Sequence, residues 1–339
     1  LRYERQEPLH HNDLGATDSS LFNVIKVKDI LLNYPYQSFQ YFIDLLREAS
    51  IDPKVTEIKI TLYRVAKNSN VINALINAIR NGKIVTVLLE LQARFDEEAN
   101  IYWTNRLREE GARIIPGVPD LKVHAKLCLI TRRERGGPVR YANIGTGNFN
   151  ENTAKVYSDH SLLTADPRLT DEVERIFEFF RHNYKTSTYE HLIVSPFYTR
   201  KKFKKLVNTE IKNARKGRDA YMIIKVNSLV DKEMIDSLYR ASGEGVSIRL
   251  IVRGICSLVP GVPGLSDNIT VTSIVDRYLE HSRIFIFCNN GDEKYIISSA
   301  DWMTRNLDRR VEVGCPVYDP GIRKELRDFI DIQLADTTK

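Results

Sequence analysis

The sequence predicts an α/β protein made of two tandem domains that share one fold and meet at a central active-site cleft. Three observations carry this expectation. Strand-like and helix-like segments alternate through both halves. The second half repeats the segment order of the first at a nearly constant offset. Each copy also holds a histidine with a cation two residues on: His124-Ala125-Lys126 in the first and His281-Ser282-Arg283 in the second.

The chain begins on Leu1 and is polar with little periodicity to Ser20. We therefore expect residues 1–11 to be a segment left from missing upstream domains, 12–188 the first domain and 189–339 the second. Ser38 to Ala49 has helical spacing and Asp52-Pro53 stops it. Thr56 to Val65 alternates like a strand, with Arg64 at its end. Val71, Ile72, Leu75, Ile76 and Ile79 form one apolar helical stripe ended by Asn81-Gly82. The apolar strand Ile84 to Leu91 is again followed by an arginine, Arg94, and Asp96 is placed to cap a helix running to Glu110.

The stretch from Leu121 to Asn150 reads as two strands joined by a Gly-Gly-Pro turn and closed by the loop Gly145-Thr146-Gly147-Asn148-Phe149-Asn150. Alternate side chains of a strand share a face, so His124 and Lys126 are expected to present an imidazole and an ammonium together. The glycine-interrupted loop offers small backbone and amide groups, Asn148 among them, able to close around a phosphate. Val156 to Asp166 reads as a further strand and Leu169 to His182 as a helix. Lys185 to Tyr189 is polar and reads as a linker.

In the second half, Asp236 to Tyr239 and Glu244-Gly245 repeat Asn73 to Ile76 and Asn81-Gly82 at an offset of 163 residues. The strand Ala220 to Val226 is the counterpart of the one ending in Arg64, with Asn227 in its place. Val246 to Val252 ends in Arg253, in the part of Arg94. Thirty residues separate Arg94 from His124 and 28 separate Arg253 from His281; 24 separate His124 from Asn148 and 20 separate His281 from Asp301. The segment Val311 to Asp319 reads as a strand and Gly321 to Leu334 as a closing helix.

The 339 residues suffice for two cores. Fifty Lys and Arg against 44 Asp and Glu leave a net charge of +6, compatible with an anionic ligand without singling one out. Four scattered cysteines without a CxxC pair suggest neither a zinc site nor a disulfide framework and fit a reducing compartment. No apolar run spans a bilayer, no signal-peptide pattern occurs, and the P-loop pattern is absent.

A neutral imidazole is a competent nucleophile toward phosphorus at neutral pH. A neighbouring Lys126 would hold phosphate oxygens and disfavour protonation of His124. Two such half-sites suit in-line displacement, one imidazole attacking and the other assisting the leaving oxygen. Arg64, Arg94 and Arg253 follow strand ends, where α/β sheets place ligands, and the arginine fork matches phosphate oxygens. Tyr157 fits either a core position or a base-stacking platform.

HAK with GTGNFN and HSR with SSADWMTRN resemble the doubled half-sites of the phospholipase D superfamily. The longer strings LYRVAKNS, ELQARFDEEANI, VHAKLCLI, IGTGNFNENTAKVYSD, VDRYLEH and SSADWMTRN resemble the polyphosphate kinase family, from about Asn12 to the C-terminus. That resemblance implies two phospholipase D-like α/β domains and reversible transfer of the ATP γ-phosphate to inorganic polyphosphate, releasing ADP. It implies that His124 becomes phosphorylated and that His281 gives acid/base assistance, with Lys126 and Asn148 beside them. It implies nucleotide or phosphate contacts at Tyr157, Arg253, His281 and Arg283, and a magnesium site associated with Arg64 and Arg94. Arginine is a poor cation ligand, so those two are read as holding the phosphates that carry Mg²⁺.

The expected partners are ATP or ADP and inorganic polyphosphate, with no nucleic acid and no transmembrane segment. The expected location is cytoplasmic, compatible with peripheral association at the inner membrane face, and the full-length protein is expected to be a homo-oligomer. The phospholipase D pattern proper carries an acid after four further residues beyond its lysine. Those places hold Thr131 and Cys288 here, which argues against a phosphodiesterase.

Overall fold

A computed structural model of the chain describes residues 4, 6–14, 20–90, 97–183 and 187–337. The chain divides into two compact units, Leu1–His191 and Leu192–Lys339. In chain order the first contains α1 (Leu21–Val27), β1 (Ile30–Tyr34), α2 (Gln40–Ile51), β2 (Val55–Leu62), α3 (Asn70–Arg80), β3 (Ile84–Leu89), α4 (Glu97–Glu109) and β4 (Arg113–Ile115). There follow β5 (Lys122–Val123), β6 (Lys126–Glu134), β7 (Gly137–Gly145), β8 (Tyr157–Thr164) and α5 (Pro167–Arg181).

The strands of this unit form a sheet in the order β1-β8-β7-β6-β2-β3-β4. Its β2-β3-β4 part is parallel and the rest antiparallel. Within the parallel part β3 is a near-continuous apolar run, as a strand covered on both faces requires, whereas β2 alternates apolar with polar residues. Helix α3 supplies the stripe Val71, Ile72, Leu75 and Ile76, all buried, and its N-terminus is capped by Ser69 accepting from the Ile72 N–H. Gly82, at φ +77°, ends it in a left-handed turn that disfavours a side chain. Helix α5 begins with Asp166 as cap and Pro167 in its first turn. Its buried Glu172 accepts the N–H groups of Glu190 and His191, which holds down the last residues of the unit.

The second unit contains β9 (Ile193–Val194), α6 (Thr199–Arg215), β10 (Tyr221–Val226), α7 (Lys232–Gly243), β11 (Ser247–Val252), β12 (Ile269–Thr272), β13 (Leu279–Glu280) and β14 (Arg283–Phe287). Then come β15 (Lys294–Ser298), α8 (Thr304–Asp308), β16 (Arg310–Val311), β17 (Val313–Val317) and α9 (Pro320–Ala335). Its seven-stranded sheet runs β12-β11-β10-β14-β15-β17-β9, with β10-β11-β12 parallel and the other neighbours antiparallel. The order and the parallel-to-antiparallel switch repeat those of the first unit. In both, the strand that follows the histidine, β6 or β14, is the antiparallel neighbour of the first parallel strand.

The seventeen-residue helix α6 was not foreseen, nor were α1 and β1. Charge hides the periodicity of α6: its apolar residues Phe203, Val207 and Ile211 are buried, but seven Lys or Arg surround them. Phe203 packs on Phe285 and Trp302, at ring centroid distances of 4.6 and 5.4 Å, which anchors α6 to the strand carrying Arg283.

Also on α6 is the fully buried Glu210, whose Oε1 accepts the Asn289 N–H at 2.7 Å while its Oε2 has no partner. Burial pushes its carboxyl up to about 7, against the lowering effect of that hydrogen bond. The folded state therefore keeps a proton that the unfolded chain gives up near pH 4.5. The stability this confers is complete below that pH and is lost as pH rises through about 7. Glu210→Gln keeps the acceptor and removes the titration. Urea unfolding should find the variant close to wild type at pH 5 and more stable at pH 8, by at most about 3 kcal/mol; parallel curves at the two pH values would contradict this.

Candidate active site

In the first unit the expected continuous strand through His124 is broken. β5 ends at Val123, β6 begins at Lys126, and His124 and Ala125 lie in the gap. Backbone groups that leave a ladder inside a protein must find other partners. Glu90 Oε2 accepts the Val123 N–H at 3.1 Å. The Thr61 hydroxyl donates to the Ala125 carbonyl at 2.7 Å and accepts the Leu127 N–H at 3.0 Å. The ammonium of Lys126, 2 % exposed, donates to the carbonyl of His124 itself. Lys126 is thus turned inward, and the expected open face with imidazole and ammonium side by side is corrected. The strand break lets the lysine fold back onto the backbone two residues earlier.

His124 is half-buried and meets the Tyr63 ring edge-on, with centroids 5.0 Å apart. Among the described residues three cations surround that tyrosine: Lys126 at 5.5, Lys122 at 5.7 and Arg64 at 5.9 Å from its centroid. Tyr63 therefore gathers His124, Lys126 and Arg64 into one place. Sequence reasoning missed it, although its position at a strand end beside Arg64 was a usable signal.

The loop after β7 is set by a buried carboxylate. Asp159 accepts the Thr146 hydroxyl at 2.6 Å, and Thr146 Oγ1 in turn accepts the His160 N–H at 3.0 Å. A Cβ on Gly147 would run into the Asp159 carboxylate, so this position takes glycine for space and not for an unusual φ. Asn148 is half-buried, and its Oδ1 is buried without a hydrogen-bond partner in the protein. Phe149 stacks on Phe42 at 4.6 Å. Asn150 Oδ1 accepts the Asn152 and Thr153 N–H groups and starts the short turn that delivers Tyr157, half-buried, to the first position of β8.

The second unit solves the same problem with different side chains. His281, half-buried, and Ser282 lie between β13 and β14. Arg253 Nε donates to the Glu280 carbonyl and to Asn227 Oδ1, while Asn227 Nδ2 donates to the His281 carbonyl at 3.0 Å. Arg283, 3 % exposed, donates from Nη1 to that same carbonyl at 2.8 Å, and its Nη1 lies 3.2 Å from His281 Nε2. Its other edge grips Asp301 through Nε and Nη2, each at 3.2 Å. Asp301 also accepts the Asn227 N–H at 2.8 Å. Burial opposes ionisation of Asp301, but the Arg283 charge and these hydrogen bonds outweigh it and bring the carboxyl down to about 2.

Strand register places the repeat residue by residue. Lys126 lies opposite Gly145 and Arg283 opposite Ser298, so Thr146 matches Ser299 and Asn148 matches Asp301. Gly145 faces Ser161 and Ser298 faces Gly314, so Asp159 matches Glu312. Glu312 takes the Ser299 hydroxyl as Asp159 takes that of Thr146. Two expected correspondences are corrected. Residue Ile60 pairs with Cys128 and Ile224 with Phe285, which makes Tyr63, not Arg64, the counterpart of Asn227. Leu62 pairs with Leu89 and Val226 with Val252, which makes Glu90 the counterpart of Arg253. Arg94 and the helix cap Asp96 lie outside the described residues.

Among the described residues no group of three or more His, Cys, Asp or Glu is placed to hold a metal ion. The described residues at His124, Arg64 included, do not by themselves form a Mg²⁺ cage. No helix of the described residues is long and apolar enough to cross a membrane.

Two family models match this chain, "Polyphosphate kinase C-terminal domain 1" over residues 20–186 and "Polyphosphate kinase C-terminal domain 2" over 192–339. The chain belongs to the polyphosphate kinase family. It is 54% identical over 318 residues to polyphosphate kinase of Escherichia coli (strain K12), covering 94% of this chain and 46% of that protein. It is also 54% identical over 321 residues to polyphosphate kinase of Vibrio vulnificus (strain YJ016), covering 95% of this chain and 46% of that protein. The crystal structure of polyphosphate kinase from Porphyromonas gingivalis superposes with a TM-score of 0.90 at 46% identity, over 98% of this chain and 54% of that one. Phosphatidylserine synthase of Haemophilus influenzae Rd KW20 superposes with a TM-score of 0.55 at 12% identity, over 88% of this chain and 86% of that one, a likeness of fold alone. The chain spans about half the length of the curated polyphosphate kinases it matches.

Two outcomes follow from the braces of this site. Gly147→Ala should lower the unfolding free energy by about 1–3 kcal/mol in urea titration, since the added methyl meets a buried carboxylate; an unchanged midpoint would contradict the packing. Asp301→Asn should cost most above pH 4, because the carboxylate's contribution is present above its unfolded value of 3.8 and is lost as pH falls through about 2. The stability gap to wild type, about 2 kcal/mol at pH 6, should narrow at pH 3.

Proposed function

We propose that this chain carries the phosphoryl-transfer chemistry of polyphosphate kinase: reversible transfer of the ATP γ-phosphate to the end of an inorganic polyphosphate chain through a phosphohistidine at His124. The observation that carries the proposal is the two-domain family match together with the pinned position of His124 among Tyr63, Arg64 and Lys126.

In the first step an imidazole nitrogen of His124 attacks the γ-phosphorus. An N–P bond forms, the bond from phosphorus to the β,γ-bridging oxygen breaks, and ADP leaves. In the second, a terminal oxygen of polyphosphate attacks the same phosphorus and releases the imidazole, so the polymer gains one phosphate. The reverse sequence makes ATP. The backbone at His124 has little freedom to shift, because hydrogen bonds hold it on both sides, and the imidazole packs on Tyr63. Positioning of this kind supplies much of the catalysis in phosphoryl transfer.

Arg64 and the lysines around Tyr63 would hold the oxygens of two polyanions that otherwise repel each other, an electrostatic contribution made in advance of the reaction. Lys126 serves by anchoring the His124 carbonyl and by its charge. Asn148, with an unbonded buried oxygen, and Tyr157, at the head of β8, are proposed contacts of the same site. In the second unit His281 is proposed to give acid/base assistance at the nucleotide, with Arg283 and Arg253 contacting phosphate. Mg²⁺ would arrive bound to nucleotide phosphates, as that ion commonly does, and screen their charge. Cytoplasmic residence, peripheral association with a membrane and homo-oligomerisation of the full-length protein belong to the same proposal.

Labelling with γ-labelled ATP and Mg²⁺ should give an acid-labile, base-stable phosphoprotein in the wild type and none in His124→Ala. Labelling that survives that substitution would overturn the assignment of the nucleophile. Loss of phosphotransfer in His281→Ala with labelling retained would separate the two histidines.

A further inference from the structure

The charge of this chain is unevenly placed. Helix α6 carries seven Lys or Arg and one Glu, a surplus of six, and the whole chain has a surplus of six. Every other region taken together is electrically balanced. The single acid, Glu210, is buried with its carboxyl pushed up to about 7, so it offsets little of the positive field.

Within α6 the basic residues divide by their contacts. Arg200 grips Asp231 and Asp308, Lys204 reaches Glu233 at 2.9 Å, and Arg215 pairs with Glu244. Lys201, Lys205 and Lys212 are exposed and have no carboxylate partner within salt-bridge distance among the described residues. At offsets of four and eleven residues they fall on one stripe of the helix and span about 16 Å along it. They line a groove of about 720 Å³ whose floor includes Pro196 and Phe197.

Like charges in line on one helix repel each other. Such an arrangement is relieved by a ligand that carries regularly spaced negative charge over the same length. A membrane surface fits less well. Helices that dock on lipid present large apolar residues beside their lysines, whereas the apolar residues of α6 point into the core and no large hydrophobic residue is exposed among the described residues between Val156 and Ile255.

We infer that the α6 groove is a holding site for a linear phosphate polyanion, inorganic polyphosphate itself, bound through Lys201, Lys205 and Lys212. This site is separate in residues from the candidate active site, and the identity of its ligand rests on the polyphosphate kinase reading. Recognition is electrostatic and independent of the chain end. It therefore favours polymers long enough to span the stripe and does not discriminate among short oligomers.

The test compares the wild-type protein with a triple variant, Lys201→Gln, Lys205→Gln and Lys212→Gln, all exposed positions. Affinity for inorganic polyphosphate of several tens of phosphates and for a tetraphosphate is measured across a salt series, alongside ATP-dependent phosphorylation of a short primer. For the long polymer the variant should bind on the order of tenfold more weakly at physiological salt, and its log–log salt slope should be shallower by about 2. Tetraphosphate affinity and primer phosphorylation should be unchanged. Unaltered long-chain affinity overturns the inference, as does a loss confined to vesicles of phosphatidylserine. Phosphotransfer that persists while long-chain binding is unaltered refutes the groove alone. Weakened long-chain binding in a protein with no phosphotransfer in either form refutes the kinase reading and leaves the groove standing.

Discussion

Each histidine of the repeat sits where a strand is interrupted, and the hydrogen bonds that repair the interruption are the constraint on which the candidate site depends. A two-residue gap in a buried ladder leaves carbonyl and N–H groups that cannot turn to water. The first unit meets this with Thr61, Glu90 and the ammonium of Lys126. The second uses Asn227, Arg253 and the guanidinium of Arg283. In both, the cation two residues beyond the histidine bonds back to the histidine's own carbonyl. That shared bond explains why a long basic side chain occupies this position in a buried setting, independently of any phosphate.

The same economy extends to the loops facing the histidines. Thr146 with Asp159, and Ser299 with Glu312, are buried hydroxyl–carboxylate pairs placed identically by strand register. A buried carboxylate is costly unless it is fully hydrogen-bonded, and these acids receive hydroxyl donors from the loops they brace. Asn148 and Asp301 then occupy matching positions with different tasks. Asp301 is consumed by Arg283, whereas Asn148 keeps a buried oxygen without a protein partner. The two units therefore share a scaffold and are chemically unequal, with three cations around an aromatic ring near His124 and a bidentate ion pair near His281.

Charge is distributed as unequally as chemistry. The formal surplus of the whole chain is matched by that of α6 alone, while the basic residues around Tyr63 belong to regions that balance overall. A net charge of +6 read from composition says little. The same charge concentrated along one helix, partly free of carboxylate partners, creates a local field with a direction.

Much of the fold was legible in the chain because period and punctuation agree there. The stripe of α3 closed by Gly82, the apolar run of β3, the start of α5 at Asp166-Pro167 and the doubled histidine motif all follow from local rules. Helix α6 was hidden because charge outweighed its short apolar pattern. By itself the sequence determined that two like halves exist and where a histidine and a cation recur, while strand register decided that Tyr63 matches Asn227 and Glu90 matches Arg253. It could not determine that the strand breaks at each histidine, that Lys126 turns inward, or that Tyr63, Glu90 and Asp159 join the site. Those depend on which strands become neighbours and in what register, and a shift of one residue would send each of these side chains to the other face. Only the tertiary structure makes that choice, since the hydrogen bonds by which Asp159, Glu90 and Thr61 join the site span 13 to 66 residues of sequence.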